Sequence, residues 1–260
     1  MDVKVKNLEI RFEDLLIVDK LSFNVNKGEF LIILGPSGSG KTTILKSLAG
    51  LIDHKDNQKV YGEITILGNN IVGDKSLYFE SKHKGYVGYV FQENVLLPHL
   101  NVYENICFPL KLLGYPLVEI NNETSLILEK VGLTEFKHYY PHQLSGGMKK
   151  RVELARAFIT KPKIIFLDEP FSSLDIAWKL KLYEQLLGLQ KTYNTTMVMV
   201  THDIIEAIFL SNHLIITSYN ASASEFIIEK KSNGVKNYKT LMNDFHFEYT
   251  EIISIITNDV

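Results

Sequence analysis

Apolar and polar residues change their period several times along the chain, and each change predicts a new element. Val3 to Ile10 and Leu21 to Val25 alternate with a period of two, as strands with one buried face do. An Asn26-Lys-Gly28 turn then leads into Phe30-Leu-Ile-Ile-Leu34, an apolar run of the length of a fully buried strand. A glycine-rich loop and an amphipathic helix, Ile44 to Ala49, come next. Asp53 to Lys59 is polar and loop-like, and Gly62-Glu-Ile-Thr-Ile-Leu-Gly68 is a strand between glycines. Asn69 to Lys84 has no clear period. Gly85 to Gln92 returns to strand character and ends in the polar Gln92, where the chain enters Leu96-Leu-Pro-His-Leu100.

From Asn101 to Thr160 the period becomes helical. Val102, Ile106, Leu110 and Leu113 share one face, and Leu126, Leu128, Val131 and Leu133 form a second set around Gly132, which predicts a helical insertion. Ile164 to Leu167 reads as a strand, Ile176 to Tyr193 as a helix, and Met197 to Thr201 as a core strand ending at His202. Beyond Ser218, Glu225 to Glu229 predicts one more strand, Lys230 to Asn237 a polar turn, and Tyr238 to Ile256 a helical segment with Leu241, Phe245, Ile252 and Ile256 apolar.

With 260 residues, 45% of them hydrophobic, the chain can bury one domain with an inserted subdomain, or two small ones. Its 28 Lys plus Arg against 30 Asp plus Glu give no basic field for nucleic acid or an acidic membrane, so partners must be recognised by shape. The single cysteine, Cys107, lies in the apolar run Ile106 to Leu110, where a buried structural thiol suits a reducing cytoplasm. The start Met-Asp-Val-Lys-Val-Lys lacks the form of a signal peptide, and no apolar run reaches the ~18 residues of a membrane span. Any membrane role is therefore expected to be peripheral.

The chemistry gathers first at Gly35, Pro36, Ser37, Gly38, Ser39, Gly40, Lys41, Thr42 and Thr43, which match GxxxxGK[ST] between a buried strand and a helix. Gly35, Gly38 and Gly40 let successive N–H groups turn inward around a triphosphate. The helix dipole favours the anion, Lys41 can reach the β- and γ-phosphates, and the Thr42 hydroxyl can ligate Mg²⁺. Thr43 extends the polar first turn. A second anion-binding helix start is offered by Ser145, Gly146 and Gly147, while Lys149-Lys-Arg151 reads as a solvated helix face.

The strand from Ile164 delivers two carboxylates, Asp168 and Glu169, at its end. Either they form a solvated acidic turn, or Asp168 serves the Mg²⁺ shell while Glu169, on the opposite side of the pleat, polarises an attacking water. Phe12 either stacks on a nucleotide base or fills the core. His202 alone reads as structural.

Taken in order and spacing, the phosphate loop, Gln92, Leu144 to Gly147, the strand through Glu169, Ser173-Leu-Asp175 and His202 together resemble an ATP-binding-cassette transporter ATPase over residues 1–218. That resemblance implies an α/β P-loop NTPase with an antiparallel β subdomain, a RecA-like core, a helical subdomain inserted at about 101–160, and a short tail over 219–260. It implies ATP and Mg²⁺ as ligands, Phe12 stacking on adenine, Gln92 contacting metal and the transport partner, Glu169 carrying the water, and His202 at the γ-phosphate. It also implies a head-to-tail dimer in which Ser145 and Gly147 cap the γ-phosphate of the opposite protomer and Asp175 touches across the interface. Membrane permease subunits, a solute-binding protein reached through them, and a place on the cytoplasmic face of the membrane follow from it.

Met148 stands where the family usually has glutamine, and Phe12 where tyrosine is common. The stretch Leu144-Ser-Gly-Gly-Met148, followed by Asp168-Glu-Pro-Phe171 and Thr201 to Ile208, is similar to importer ATPases of the nitrate, sulfonate and taurine group. The tail is short for the β-barrel regulatory domain of sugar and molybdate importer ATPases, and helices packing on the cassette are expected in its place. An exporter ATPase differs only in its partner. A soluble cassette ATPase acting on nucleic acid or the ribosome would carry a second cassette, a long coiled coil or a basic arm.

Overall fold

The computed structural model of the protein describes residues 1–51, 58–72, 85–172, 174, 176–218, 223–227 and 252. In chain order its elements are β1 (Val3–Phe12), β2 (Leu15–Val25), β3 (Phe30–Leu34), α1 (Lys41–Leu48), β4 (Gln58–Ile66), β5 (Asn69–Asn70), β6 (Val87–Val90), α2 (Val102–Leu112), α3 (Leu117–Lys130), α4 (Gly146–Phe158), β7 (Ile164–Asp168), α5 (Ile176–Tyr193), β8 (Thr196–Thr201), α6 (Ile204–Leu210), β9 (His213–Thr217) and β10 (Ala223–Ile227). The chain divides into two compact units, one formed by Met1–Leu77 with Thr196–Val260 and the other by Tyr78–Thr195. The helical segment expected over Tyr238 to Ile256 lies, apart from Ile252, outside the described residues, as do Ser173 and Asp175.

In the first unit β1 pairs antiparallel with β2 on one side and with β4 on the other. Strand β2 starts at Leu15, six residues before the alternation expected at Leu21. Backbone pairing of Leu15 with Phe12 and of Leu16 with Arg11 makes that stretch a strand. Its side chains carry little of the burial signal, since Leu15 is exposed. Similarly β4 begins at Gln58 rather than Gly62, because Gln58 and Lys59 pair with Phe12 and Arg11. Gly62 sits instead in the middle, at φ 98°, where a Cβ would overlap the Asn7 carbonyl.

The same unit holds β3 between β8 and β9, parallel to both, with β10 antiparallel on β9. Every residue of β3 is buried. The continuous apolar run is thus explained by neighbours on both edges and cover on both faces. Burying one such Leu or Ile side chain is worth about 1.5–3 kcal/mol. Helix α6 is capped by Asp203, whose Oδ1 accepts from the amides of Ile205 at 2.9 Å and Glu206 at 3.3 Å.

In the second unit β6 and β7 run parallel, Val87 to Val90 against Ile164 to Leu167. Helix α2 opens with a capping box: Asn101 Oδ1 accepts from the Glu104 amide and Glu104 Oε2 accepts from the Asn101 amide, both at 2.9 Å. Cys107 is buried, and burial pushes its thiol above the ordinary range, as expected of an inert structural cysteine. The basic triplet departs from expectation. Lys150 is 2% exposed, and Arg151 is half-buried, its Nη1 donating to the carbonyls of Val131 at 3.1 Å and Gly132 at 3.4 Å. The solvated face assigned to this triplet is therefore corrected: only part of it faces water, because α4 places residues 147, 150, 154 and 158 on its packed side.

Candidate functional site

Strand β3 ends at Leu34 and the chain turns at once into the loop Gly35–Gly40, closed by Ser39 N donating to Pro36 O at 3.3 Å. Gly38 and Gly40 both have φ 85°, the left-handed region that glycine enters without steric cost. At Gly35 the constraint is space, since a Cβ there would overlap the Thr217 hydroxyl. Beneath the loop lies a small polar knot. Ser39 Oγ and Thr217 Oγ1 are 2.8 Å apart, and Thr217 Oγ1 donates to Leu34 O at 3.2 Å, all buried.

Lys41 opens α1 and is 4% exposed, with Nζ donating to Pro36 O at 2.7 Å. Its ammonium is thus folded back over the loop. Thr42 and Thr43 follow, half-buried, and Ser37 and Gly38 are exposed at the loop tip. A Cβ at Gly40 would lie 2.6 Å from Ile17 of β2, so the loop packs against the hairpin whose end carries Phe12. Phe12 is 42% exposed, which answers the open alternative: it does not fill the core. His202 follows β8 directly and is exposed, while Gly35 N donates to the carbonyl of its neighbour Thr201 at 3.3 Å. The first unit therefore brings the loop, Lys41, Thr42 and the strand end before His202 to one edge of the β3 sheet.

In the second unit Asp168 closes β7 and is 4% exposed. Tyr89 of β6 donates its hydroxyl to Asp168 Oδ2 at 3.3 Å. Burial first, then the charge and hydrogen bond of Asp168, push the Tyr89 phenol far above its ordinary range, so it remains a donor. Glu169 does not lie across the pleat from Asp168 as expected. It has left β7 and holds φ 40°, a left-handed backbone that a non-glycine residue adopts at a cost of order 1–3 kcal/mol. The turn is fastened from behind: the Ser172 amide and hydroxyl donate to Glu169 O at 3.3 and 3.1 Å, and buried Phe171 meets Tyr183 edge-on at 5.0 Å.

Gln92 is exposed, two residues past β6. Its loop borders a cavity of about 430 Å³ whose lining includes Tyr89, Phe91, Val95, Leu97, Phe108 and Leu112. Asn105, fully buried, pins the far side of that loop, its Nδ2 donating to the carbonyls of Leu97, Leu100 and Asn101 at 3.1, 2.8 and 3.1 Å. Ser145 caps α4, accepting from Met148 N at 3.3 Å, and Ser145 and Gly146 are exposed. Gly147 is buried beside the ring of Trp178, which a Cβ there would approach to 3.7 Å. The Arg151 guanidinium stands 5.6 Å from the same ring.

Tyr89, Asn105, Lys150, Glu153 and Thr217 escape the reading of motifs. Each acts by holding a motif residue or its loop, and only the helical phase of residues 150 and 153 on α4 signals one of these roles in advance.

A family model described as "ABC transporter" matches residues 18–172. A spermidine/putrescine import ATP-binding protein of Pseudomonas aeruginosa is 40% identical over 212 residues, 82% of this chain and 55% of that protein. A trehalose/maltose import ATP-binding protein of Thermococcus litoralis is 38% identical over 205 residues, 78% of this chain and 53% of that protein. The chain thus spans about half the length of these curated relatives. Among solved structures, a dimeric ATP-binding cassette in a post-hydrolysis state bound to ADP and Pi is similar with a TM-score of 0.74 and 29% identity, covering 88% of this chain and all of that one.

Proposed function

Because this chain belongs to the ABC transporter family, we propose that it is the subunit that binds and hydrolyses ATP to energise a membrane importer. The observation that carries this reading is the phosphate loop, with its glycines at φ 85°, its buried polar knot and Lys41 at the helix start. Loop amides and the start of α1 take the phosphate oxygens, and Lys41 exchanges its Pro36 carbonyl for the β- and γ-phosphates. Phe12 stacks on adenine. Glu169 polarises the water for in-line attack, and His202 contacts the γ-phosphate.

Thr42, Asp168 and Gln92 are oxygen donors suited to a hard cation, and Asp168 is a buried carboxylate already oriented by Tyr89. They would hold Mg²⁺, which when bound neutralises charge on the β- and γ-oxygens. Ser145 and Gly147 serve the γ-phosphate held by a second copy of the chain, with Asp175 at that interface.

The cavity beside Gln92 is the proposed seat of a membrane subunit. Its apolar walls and the exposed Val95 support this, and no helix among the described residues is long and apolar enough to cross a membrane itself. Import is favoured because the similar curated proteins are named as import ATP-binding proteins. Those relatives are named for polyamines and for sugars, solutes with little chemistry in common, so cargo is set by the membrane and binding subunits. A nitrate, sulfonate or taurine-type anion, suggested by Met148 and its context, competes with these, and identification of the co-purifying membrane subunits discriminates them.

ATP turnover and equilibrium ATP binding of wild type and Lys41→Ala test the reading directly. Loss of turnover with weakened binding is expected, and undiminished turnover in the purified variant overturns it. For the docking seat, Val95→Cys or Leu97→Cys is expected to crosslink to a membrane subunit in the assembled transporter. The native Cys107, being buried, gives little background.

A further inference from the structure

The ionised side chains in the middle of α4 take no part in the chemistry above. Lys150 and Glu153 are each 2% exposed, with Lys150 Nζ 2.7 Å from Glu153 Oε2. Withdrawing such a pair from water is expensive, and apolar side chains of similar volume commonly pack as well or better. The charges do something that apolar groups could not: both reach into one loop. Lys150 Nζ donates to Phe91 O at 3.3 Å, and Glu153 Oε1 accepts from Val95 N at 2.7 Å. One turn further along, Arg156 Nη1 donates to Val95 O at 3.0 Å. Three side chains of a single helix thus hold both ends of the segment Phe91–Val95, whose own residues are exposed and whose second residue is Gln92. The same helix begins at Ser145, five residues before Lys150 and so only about 7–8 Å away along a stiff axis.

We infer that Lys150 and Glu153 are positioning residues that clasp the Gln92 loop to α4, so that the loop and the Ser145 end of the helix move as one body. The inference rests on the proposed roles of Ser145 and of the cavity beside Gln92. It makes the buried pair the link by which an occupant of that cavity and a nucleotide at Ser145 sense one another. If the pair only filled space, the loop would keep its own equilibrium whatever happened at Ser145.

Amide hydrogen exchange on the full chain distinguishes the two roles. It is measured in the Glu169→Gln background with and without MgATP, at residues 91–97 and in the first turn of α4. Nucleotide is expected to slow exchange about tenfold in both segments of the parent. In K150M/E153L, where the charges are removed and the volume is kept, the first turn of α4 should still respond while the response at 91–97 is lost. K150E/E153K keeps an ion pair but sets an ammonium toward the Val95 amide and a carboxylate toward the Phe91 carbonyl. It should lose the loop response too, and it serves if K150M/E153L does not fold by thermal melting. A loop response that persists in a folded variant overturns the clasp, as does a parent in which only the first turn of α4 responds. A parent whose first turn of α4 is indifferent to MgATP overturns the reading of Ser145 and takes the clasp with it.

Discussion

Helices α1 and α4 both begin beside glycines, yet they present their first amides in opposite ways. Before α1 stands Gly40 at φ 85°, with no side chain to accept from the helix. Before α4 stands Ser145 in extended backbone, whose Oγ already accepts from Met148 N. At α1 the surroundings are closed: Lys41 and Ser39 are each 4% exposed, and Thr217 braces the loop from below. At α4 Ser145 and Gly146 face outward. One helix start is a finished loop, shaped as a cradle for the phosphates proposed above. The other satisfies part of its own hydrogen bonding and leaves an open edge, which suits a site completed from outside.

The largest expected effect breaks the finished cradle. Lys41→Ala should lower ATP turnover by about 10²–10³-fold, as loss of a single charge-stabilising group typically does, with weaker nucleotide binding by equilibrium titration. Next in size, Glu169→Gln should reduce turnover about 10²-fold or more while leaving ATP affinity within about threefold, since it spares the amides and Lys41. This variant is expected to run as a dimer in ATP and as a monomer without it. Adding Ser145→Arg should return it to a monomer that still binds ATP. Light scattering after size exclusion reads both states, and a dimer surviving Ser145→Arg would contradict an open edge completed by a second copy.

A smaller effect tests the brace. Thr217→Val removes the hydroxyl from both Ser39 Oγ and Leu34 O; with about 1 kcal/mol for the bond that reaches the loop at Ser39, KM for ATP should rise about fivefold with kcat little altered. Thr217→Ser should restore it. Smallest of all, Ser145→Ala should lower stability by about 1 kcal/mol through loss of the cap, a few degrees in Tm. ATP affinity of the monomer should not change. An equal loss of affinity in Ser145→Ala and Thr217→Val would erase the distinction between the two helix starts.

What is legible in the sequence is what local pattern alone determines. Strand β3 coincides with its apolar run because burial on all sides leaves no ambiguity of period, and helix α5 spans the expected Ile176 to Tyr193 on a one-sided pattern, with Leu182, Tyr183, Leu186 and Leu189 buried and Lys181 and Glu184 exposed. The first residues of β2 and β4 are not legible, since pairing across β1 rather than side-chain burial makes them strand. Glu169 is legible as a carboxylate but not as a left-handed residue, because that backbone is imposed by the turn to Ser172 and by Phe171 packing on Tyr183. Lys150 is misread for a related reason. A lysine between Lys149 and Arg151 looks solvated until its helical phase is set beside Glu153 and the Val95 amide.

Trp178 adds an optical consequence. It is the chain's sole tryptophan, and its indole lies beside Gly147, with the Arg151 guanidinium 5.6 Å and the Lys181 ammonium 5.1 Å from the ring. Nearby positive charge displaces the excited-state dipole energy of an indole, so a shift of α4 relative to α5 changes emission wavelength and intensity. The unlabelled protein therefore carries its own fluorophore at the open helix start, and rapid mixing with excitation beyond the absorption of its 13 tyrosines can time events there from a signal with one source.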